Sequence, residues 1–452
     1  MFRHTIAAVA LAIAAPFPAL AQDAERMDEV VSAEADQGRY MGAALVAIGD
    51  EIVFDKAYGS ADLEWGIANT PQAKFRIGSV TKQFTAAAIL LLQEQGKLSL
   101  DAPVRAYWPA APQAWDAITV RHLLQHTSGI PNVTSFDDFA KIKFLPTTRD
   151  DMIARFSGEE LEFAPGEKWA YSNSGYMLLS AVVEEVSGQS YADFVSRSIF
   201  EPLGMDDTAI DVNADIVPRR AAGYQPSADG PVNAEYVNMA IPTGAGALYS
   251  TTHDLLKWQR GLYGGALLQP ESLAAMIAPG VDAQPRSTYA LGVMTSENDR
   301  GRMIWHGGGI EGFNAMLMYD PDREISVVVL ANINGSQAND LGLQLMTLAR
   351  GGEVTLKAEP EFVDIDPATI GDYEGSYALS PEFKIRVFAE GSRLKAQATN
   401  QPAFELFAEK GEDDLFFVKI VDARIRFHRG ADGAVESLTL IQNGQEIPGA
   451  KE

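Results

Sequence analysis

Two residues at the start of a long apolar segment have the types and spacing for nucleophilic chemistry. Ser79 and Lys82 lie three positions apart in RIGSVTKQFTAAAILLLQEQG. On a helix, residues i and i+3 are neighbours, so the lysine amine can reach the serine hydroxyl. Because a helix N-terminus and burial both disfavour the ammonium form, some neutral amine remains to accept the serine proton. The spacing therefore predicts a serine nucleophile with a lysine base.

The same spacing occurs a second time, so the motif alone does not decide. Ser392 and Lys395 also lie three positions apart, in GSRLKAQA. A strand is predicted there, and positions i and i+3 of a strand point to opposite faces. The alternative at Ser79 is a core helix with a polar start. An acyl-transfer site also needs a second proton-transfer group and an oxyanion hole, which must come from other segments.

Two further segments carry such groups. In PGEKWAYSNSGY, the phenol of Tyr171 could act as a general base if a lysine stabilises the phenolate, and Asn173 could hydrogen-bond a substrate amide. In IWHGGGIEGF, the glycines after His306 allow close approach to the backbone, so that the N–H of Gly309 can point at an oxyanion. The alternatives are a helix cap in the first segment and a glycine-rich bend in the second.

Together these segments resemble the penicillin-binding-protein and class C β-lactamase-like serine hydrolases, the S12 peptidase-like group. The strings FRIGSVTKQFTA, HLLQHTSGIP and PGEKWAYSNSGY extend the resemblance over most of residues 25–350. The motifs that carry the resemblance are Ser79-x-x-Lys82, Tyr171-x-Asn173 and His306-x-Gly308.

The resemblance implies a fold and a set of roles. The implied fold is α/β, with an antiparallel sheet flanked by helices and an additional helical lobe. The implied roles are Ser79 as nucleophile, Lys82 and Tyr171 as proton relay, and the N–H groups of Ser79 and Gly309 as oxyanion hole. The implied substrate-binding residues are Asn173, His306 and Gly308. The tail after residue 370 resembles the lipocalin-like β-domain appended to some members.

One departure from the family pattern bears on the substrate. Many penicillin-recognising relatives carry Lys-Thr-Gly or Lys-Ser-Gly where this chain has His306-Gly307-Gly308. A histidine is mostly neutral at pH 7, so it offers little charge to a substrate carboxylate. We expect hydrolysis of esters or amides, with D-amino-acid peptides and β-lactam-like compounds as candidate substrates. The alternative is a sensor or binding protein that is acylated and never turns over.

Other hydrolase classes fit less well. Gly188-Gln189-Ser190-Tyr191-Ala192 approaches the Gly-x-Ser-x-Gly nucleophile elbow but lacks its last glycine. His122 and His126 are predicted to share a helix face, but position 123 is a leucine where a zinc protease needs glutamate. We therefore interpret both histidines as structural and predict no metal and no cofactor.

The elements that must position these residues can be predicted from periodicity. Alternating residues 40–60 predict a hairpin, and the segment with Ser79 predicts a buried helix ending at Gly96. Late β-rich runs (YALGVMTSE, RMIWHGGG, FNAMLMYD, ISVVVLANI) predict strands that join the hairpin in one antiparallel sheet whose edges come from the two termini. Further helices are predicted at 119–126, 149–156, 174–187, 191–200 and from about 252, capped within 250–252.

The C-terminal part is predicted to be a separate all-β domain. Seven short strands (YEGSYAL, FKIRVFAE, RLKAQAT, AFELFAE, LFFVKI, ARIRFHR, ESLTLIQ) follow one another at close spacing, which is typical of a small sandwich or barrel. The predicted division is a signal peptide at 1–21, a hydrolase domain at 22–350, a polar linker at 351–369 and the β-domain at 370–452.

Composition and the N-terminal residues limit the location and the partners that are expected. Arg3 and His4, the apolar stretch 6–15 and the small residues 19–21 are typical of a secretory leader, which predicts a periplasmic or secreted protein. A net charge of −25 argues against nucleic acid, because such a surface repels phosphate. The absence of cysteine excludes disulfides and thiolate metal sites. The expected partner is a small-molecule or peptide substrate, with no membrane span, and the sequence leaves the oligomeric state open.

Overall fold

The computed structural model describes most of the chain. The described residues are 19–227, 230–335, 337–356, 360–380, 383–399, 401, 403–419, 423–442 and 445–452. The predicted signal peptide lies outside them except for residues 19–21, which begin the first helix. Its cleavage stays a prediction. None of the helices in these residues is long and apolar enough to cross a membrane.

Helices lie mostly between the first and the later strands. In the described part of the chain they are α1 (Ala19–Asp36), α2 (Thr81–Glu94), α3 (Val120–Leu124), α4 (Phe139–Ile142), α5 (Arg149–Ser157), α6 (Asn173–Ser187), α7 (Tyr191–Val195), α8 (Glu201–Leu203), α9 (Thr252–Tyr263), α10 (Pro270–Ile277) and α11 (Ala338–Ala349). A 3-10 turn at Gly78–Val80 runs directly into α2. The hydroxyl of Thr251 caps α9 by accepting the N–H of Asp254, as expected for the capping segment.

The strands of the first domain precede and follow these helices. They are β1 (Gly42–Ile48), β2 (Glu51–Tyr58), β3 (Ser60–Asp62), β4 (Ile67–Ala68), β5 (Phe75–Arg76), β6 (Ala209–Ile210), β7 (Tyr224–Gln225), β8 (Val232–Asn233), β9 (Leu248–Ser250), β10 (Val281–Gln284), β11 (Ser287–Tyr289), β12 (Met294–Asn298), β13 (Gly301–Ile310), β14 (Phe313–Asp320) and β15 (Ile325–Ala331).

One large antiparallel sheet joins the two ends of this domain. Its order is β10-β11-β12-β13-β14-β15-β1-β2, and β1 pairs with β15 from Gly42↔Ala331 to Ile48↔Ile325. The predicted hairpin and the predicted joining of early and late strands are both confirmed. The last strand, β15, is interior, however, because the hairpin adds beyond it and the opposite edge is β10.

Helices cover both faces of this sheet. Alternate residues of β15 point to opposite sides, so Val328 packs in the larger core with α2, α6 and α9, whereas Val327 packs in a second core. That second core contains Val30 of α1 and Leu341 of α11. The helices α3 to α8, with α6 packed on α2, form the helical lobe beside the sheet. The α/β fold with a helical lobe is therefore confirmed.

Two features of this domain differ from the sequence prediction. The run 289–297 forms two strands, β11 and β12, because Gly292 adopts a left-handed conformation with φ of 75° between them. Helix α11 was not predicted, and Gly342 lies in its middle. A Cβ atom at Gly342 would lie 2.9 Å from the Cγ of Met316 on β14, so close packing on the sheet requires a residue of low helix propensity.

The C-terminal domain is a closed barrel of eight strands. They are β17 (Gly375–Ala378), β18 (Lys384–Glu390), β19 (Arg393–Ala398), β20 (Ala403–Glu409), β21 (Leu415–Val418), β22 (Ala423–Arg429), β23 (Val435–Gln442) and β24 (Gln445–Lys451), preceded by the short β16 (Phe362–Val363) on β20. Pairing of β20 with β21 closes the ring. All seven predicted strands are present. The eighth, β24, contains Pro448 and pairs with β17 only at its end, where a missing N–H donor is tolerated.

The predicted linker is partly built into the structure. Val354 and Leu356 pack against the second core of the first domain, and β16 pairs with the barrel. The barrel has its own hydrophobic core around Tyr377 and Leu438. The two domains thus hold separate cores on either side of residues 357–359, which lie outside the described residues.

A chain ending at Leu356 is expected to remain folded and soluble, because the sheet and both of its cores lie before that residue. Circular dichroism and thermal unfolding of residues 22–356, compared with residues 22–452, check this. We expect one unfolding transition fewer for residues 22–356 than for residues 22–452. The transition that remains should keep the midpoint temperature that it has in the longer chain. An insoluble product would show that the barrel completes the first domain.

Candidate active site

Ser79 and Lys82 lie together at the start of α2. Ser79 belongs to the 3-10 turn rather than to the helix itself, and Lys82 is in the first turn of α2. The turn tightens the backbone but keeps the two side chains on one side, with 3.0 Å between the Oγ of Ser79 and the Nζ of Lys82. The predicted proximity is present, and Lys82 is completely buried.

The hydrogen bonds of Lys82 determine where its lone pair points. Its Nζ lies 2.8 Å from the Oδ1 of Asn173 and 2.8 Å from the carbonyl oxygen of Ala245, and both of these oxygens are acceptors only. Burial lowers the pKa of Lys82 well below its ordinary value, because the ammonium form loses its hydration. A neutral amine has two N–H groups, which these two oxygens occupy. Its lone pair then faces the hydroxyl of Ser79.

Tyr171 lies on the other side of the serine hydroxyl. Both residues line one cavity, and the ring centroid of Tyr171 is 4.8 Å from the Nζ of Lys82. Burial raises the pKa of Tyr171 above its ordinary value, and the neighbouring Ser79 only partly opposes this. The phenolate considered from the sequence is therefore disfavoured in the resting site. The side chain is instead a proton donor beside the serine.

Asn173 begins α6 and connects the lysine to the helical lobe. Its Oδ1 accepts from Lys82, and its Nδ2 donates to the Oγ1 of Thr134 at 3.1 Å. Its backbone N–H donates to the Oδ1 of Asn132 at 3.0 Å, which satisfies a free donor at the helix N-terminus. Sequence reasoning did not identify Asn132 and Thr134, which lie just after HTSGIP and carry no recognisable spacing to Asn173.

His306 is buried and its tautomer follows from its neighbours. Its Nδ1 is 2.6 Å from the carbonyl oxygen of Gly307, which requires a proton on Nδ1, and its Nε2 is 3.0 Å from the hydroxyl of Tyr289. Burial lowers the pKa of His306 to about 3, because the imidazolium form would lose its hydration. The imidazole is therefore neutral at pH 7, as expected. Tyr289, which fixes its orientation, was not identified from sequence.

The glycines after His306 serve close packing of two backbones. A Cβ atom at Gly308 would lie 2.0 Å from the carbonyl oxygen of Ile77, and one at Gly78 would lie 2.8 Å from the backbone N of Gly309. Strand β13 can thus lie directly against the turn that holds Ser79. The sequence predicted that Gly308 admits substrate to the backbone. In the structure, the carbonyl oxygen of Ile77 occupies the space that a side chain at Gly308 would take, although Gly308 also lines one of the cavities at Ser79.

His126 belongs to this site in a way that the sequence did not indicate. It lies beyond the end of α3 with φ of 58°, so it does not share a helix face with His122 as predicted. Its Nδ1 accepts the N–H of Ser172 at 3.1 Å, and its ring centroid lies 4.4 Å from that of Tyr171. Its role is to position the segment that carries Tyr171 and Asn173.

Ser79 lies between two cavities. A cavity of about 440 Å³ on one side is lined by Thr134, Asn173, Ile241, Ile310, Glu311 and Asn334, among others. A cavity of about 330 Å³ on the other side is lined by Trp169, Tyr171, Tyr289, Trp305, His306 and Gly308, among others. Ser79 and Gly309 line both cavities. A carbonyl group that reached Ser79 would therefore have one substituent in each.

The alternative motifs do not form comparable sites. Lys395 pairs with Glu390 in the barrel. Gly188 ends α6 in a left-handed conformation, and the hydroxyl of Ser190 caps α7 by accepting the N–H of Asp193. The serine of the incomplete nucleophile elbow is thus a helix cap.

Comparison with known proteins places the chain in a family. Residues 25–350 match the family described as Beta-lactamase. The chain belongs to the beta-lactamase family. Residues 359–451, which contain the barrel, match a domain of unknown function (DUF3471). In the family, the chain is similar to penicillin-binding protein 4* of Bacillus subtilis (strain 168), with 29% identity over 440 residues that cover 91% of this chain and 95% of that protein.

Solved structures of relatives share the fold. The D-stereospecific amidohydrolase from Streptomyces sp. superposes with a TM-score of 0.62 at 26% identity, over 73% of this chain and 98% of that one. The octameric penicillin-binding protein homologue from Pyrococcus abyssi superposes with a TM-score of 0.66 at 25% identity, over 94% of this chain and 99% of that one. The family therefore includes serine hydrolases, and the second similarity extends over both domains.

Proposed function

We propose that this protein hydrolyses esters or amides through an acyl-enzyme on Ser79. The observation that carries the proposal is the geometry of Lys82, whose Nζ lies 3.0 Å from the Oγ of Ser79 and 2.8 Å from each of two acceptors, the Oδ1 of Asn173 and the carbonyl oxygen of Ala245. A buried neutral amine in this position is a base ready to accept the proton of a nucleophile. Membership of a family that includes hydrolases supports the same chemistry.

The proposed reaction has two halves. In the first, the Oγ of Ser79 attacks the substrate carbonyl while Lys82 takes its proton, and the oxyanion is held by the N–H groups of Ser79 and Gly309. The protonated phenol of Tyr171 gives its proton to the leaving group, and the phenolate regains a proton from the ammonium of the neighbouring Lys82. In the second half, water attacks the acyl-enzyme by the reverse transfers and releases the acid.

The charges around Ser79 favour neutral or amine-bearing substrates. Among the described residues that line the two cavities, Glu311 is the one acidic side chain, no lysine or arginine is present, and His306 is neutral. Lys143 lies 3.0 Å from Glu311 and 2.7 Å from Glu235, so one cation faces two carboxylates. A substrate carboxylate would meet no compensating charge in these cavities, whereas an ammonium group would be attracted. We therefore propose esters and amino-acid amides rather than carboxylate-ending β-lactams as preferred substrates.

The test is a substrate panel on His306→Lys. We expect the parent to turn over p-nitrophenyl acetate or D-alanine amide faster than nitrocefin, which carries a carboxylate. The lysine should raise kcat/KM for nitrocefin about tenfold or more, since a hydrogen bond to a charged group contributes about 1.5 kcal/mol or more. Ester turnover should fall or hold. His428→Lys, which places the same charge on the exposed β22 of the barrel, is the control and should change neither rate.

Three outcomes of the panel separate the alternatives. Fast nitrocefin hydrolysis by the parent would show that carboxylate recognition comes from another group. Release of one equivalent of p-nitrophenol per chain, followed by no turnover, would identify a sensor that is acylated and stays so. An absence of both release and acylation across the panel would contradict the proposed function itself.

We propose in addition that the protein is exported. The support is the leader-like sequence of residues 1–21, with its basic start, apolar stretch and small-residue motif. N-terminal sequencing of the protein from the periplasm or medium of a bacterial expression host tests this, with a new N-terminus near Gln22 as the expected result. Full-length protein retained in the cytoplasm would contradict it.

A further inference from the structure

The barrel contains an apolar cavity at one end. The cavity has a volume of about 330 Å³ and is lined by inward-facing residues that include Ile385, Ala396, Phe404, Ala423, Ile425 and Leu440. These residues come from five different strands, so the space is the interior of the ring and not a groove on its outside. Its volume is in the range of small-molecule pockets.

The two ends of the barrel are filled differently. At one end, Tyr373, Tyr377, Phe416 and Phe427 pack ring against ring, with centroid distances between 4.8 and 5.7 Å. The cavity instead has three small side chains pointing inward, those of Ala396, Ala398 and Ala423. An empty apolar space costs its lining atoms their dispersion contacts, and larger side chains at these positions would fill it. The alanines thus keep open a space that a ligand can fill.

The chemistry of the lining defines the ligand. Within the described residues that surround the cavity there is no ionisable side chain, and the polar groups are amides such as Gln401 and Gln442. A charged group would lose its hydration here without gaining a partner. The cavity therefore fits an uncharged apolar group, such as an alkyl chain or an aromatic ring.

The mouth of the cavity faces the catalytic domain. Gln225, Pro226 and Asn334 contribute to its lining, and Asn334 also lines the larger cavity at Ser79. The Nδ2 of Asn334 donates to the carbonyl oxygen of Ile310 at 2.9 Å, and its Oδ1 accepts the N–H of Gly312 at 2.6 Å. Asn334 thus borders the barrel cavity on one side and, on the other, the turn after β13, the strand that carries Gly309.

We propose that the barrel cavity is a binding site for an apolar alkyl or aryl group. That group is either the tail of the substrate that is acylated onto Ser79 or a separate small molecule. The two sources share one chemistry, since neither brings charge into the cavity. In both cases the occupied cavity lies against Asn334 and so adjoins the Ser79 site.

Binding is tested with N-phenyl-1-naphthylamine, an uncharged probe that fluoresces in apolar surroundings, on the full chain. The parent should bind it saturably. Ala398→Phe, at a half-buried inward position, should weaken binding about tenfold or more by filling the cavity. Gln397→Phe is the matched control, because the adjacent residue of β19 points outward, and it should bind like the parent. Ala396→Phe is a second variant that should fill the same cavity and weaken binding of the probe.

The outcomes decide the proposal without reference to turnover. Absence of saturable binding by the parent, or equal binding by the parent and every folded variant, would overturn it. Thermal unfolding of each variant shows which ones are folded. If Ala396→Phe does not fold, Ala398→Phe and Gln397→Phe still give the comparison.

A second measurement distinguishes the two sources of the ligand and rests on the proposed function. If the cavity holds the substrate tail, Ala398→Phe should raise KM for p-nitrophenyl octanoate and leave that for p-nitrophenyl acetate unchanged. If it holds a separate molecule, both KM values should hold while probe binding is lost. Failure to hydrolyse either ester would contradict the proposed function but not the binding site, which the probe reports directly.

Discussion

Ser79→Ala should abolish turnover of every ester and amide that the protein hydrolyses, and Lys82→Ala should reduce it nearly as far. The hydroxyl and the amine, 3.0 Å apart, act as one unit, so removing either member costs about as much as removing both. A fall in kcat of roughly 10⁴-fold or more is expected for each. Steady-state kinetics with a chromogenic ester measure it, and intact mass after treatment with a fluorophosphonate should show label on Ser79 alone.

The chain supplies its own control for this experiment. Ser392→Ala and Lys395→Ala change the second Ser-x-x-Lys, whose lysine pairs with Glu390 in the barrel, and should leave kcat unaltered.

In the parent, kcat/KM should fall as pH is lowered through the pKa of Lys82, because protonation removes the base. Burial lowers that pKa, so activity should persist at pH values far below the ordinary lysine pKa. Activity in Ser79→Ala, or fluorophosphonate label on a residue other than Ser79, would contradict the assignment of Ser79 as the nucleophile.

Tyr171→Phe should lower kcat by roughly 10²-fold or more, the usual size of a general acid–base contribution. The substitution keeps the ring beside Lys82 and removes only the hydroxyl, in the cavity that Tyr171 and Ser79 both line. Amides should lose more than p-nitrophenyl esters, because an amine leaving group needs a proton and a nitrophenolate does not. Rates on matched amide and ester substrates therefore measure the role of the phenol as acid.

Tyr191→Phe is the matched control for a lost buried hydroxyl. The hydroxyl of Tyr191 lies 2.6 Å from the Oγ1 of Thr85, and Tyr191 does not line either cavity at Ser79. Its removal should change stability and leave kcat near that of the parent. If Tyr171→Phe is folded and keeps its full kcat on amides, proton transfer must proceed through Lys82 alone.

Local periodicity was sufficient for most of the fold. The hairpin predicted from alternation in residues 40–60 and the late β-rich runs are all strands of one sheet, because apolar and β-branched residues between turn signals favour strands. Helix α1 was not predicted, because it begins inside the predicted cleavage motif. Strand β24 was missed because Pro448 and Gly449 read as a break, and its tolerance of proline depends on where its partner β17 ends.

Spacing on a predicted helix was sufficient to bring Ser79 and Lys82 together. Ser79 and Lys82 are neighbours through local backbone geometry, so their proximity follows from three residues of separation and needs no tertiary information. Residue types in two later segments drew attention to Tyr171, Asn173 and His306, and the family resemblance then implied their roles. The absence of charge on His306 was also expected, since an imidazole is mostly neutral at pH 7, and burial in the structure lowers its pKa further.

The protonation states and the supporting groups required the folded chain. The acceptors around the Nζ of Lys82 include the carbonyl oxygen of Ala245, which is 163 residues away in sequence. Tyr289 and His126 fix the site through contacts between distant segments, and such contacts leave no periodic trace. Likewise, the sequence allowed Tyr171 to act as a base, but burial raises its pKa and keeps it protonated, so that it is an acid in the resting site. Burial results from the packing of distant segments, which residue order does not show.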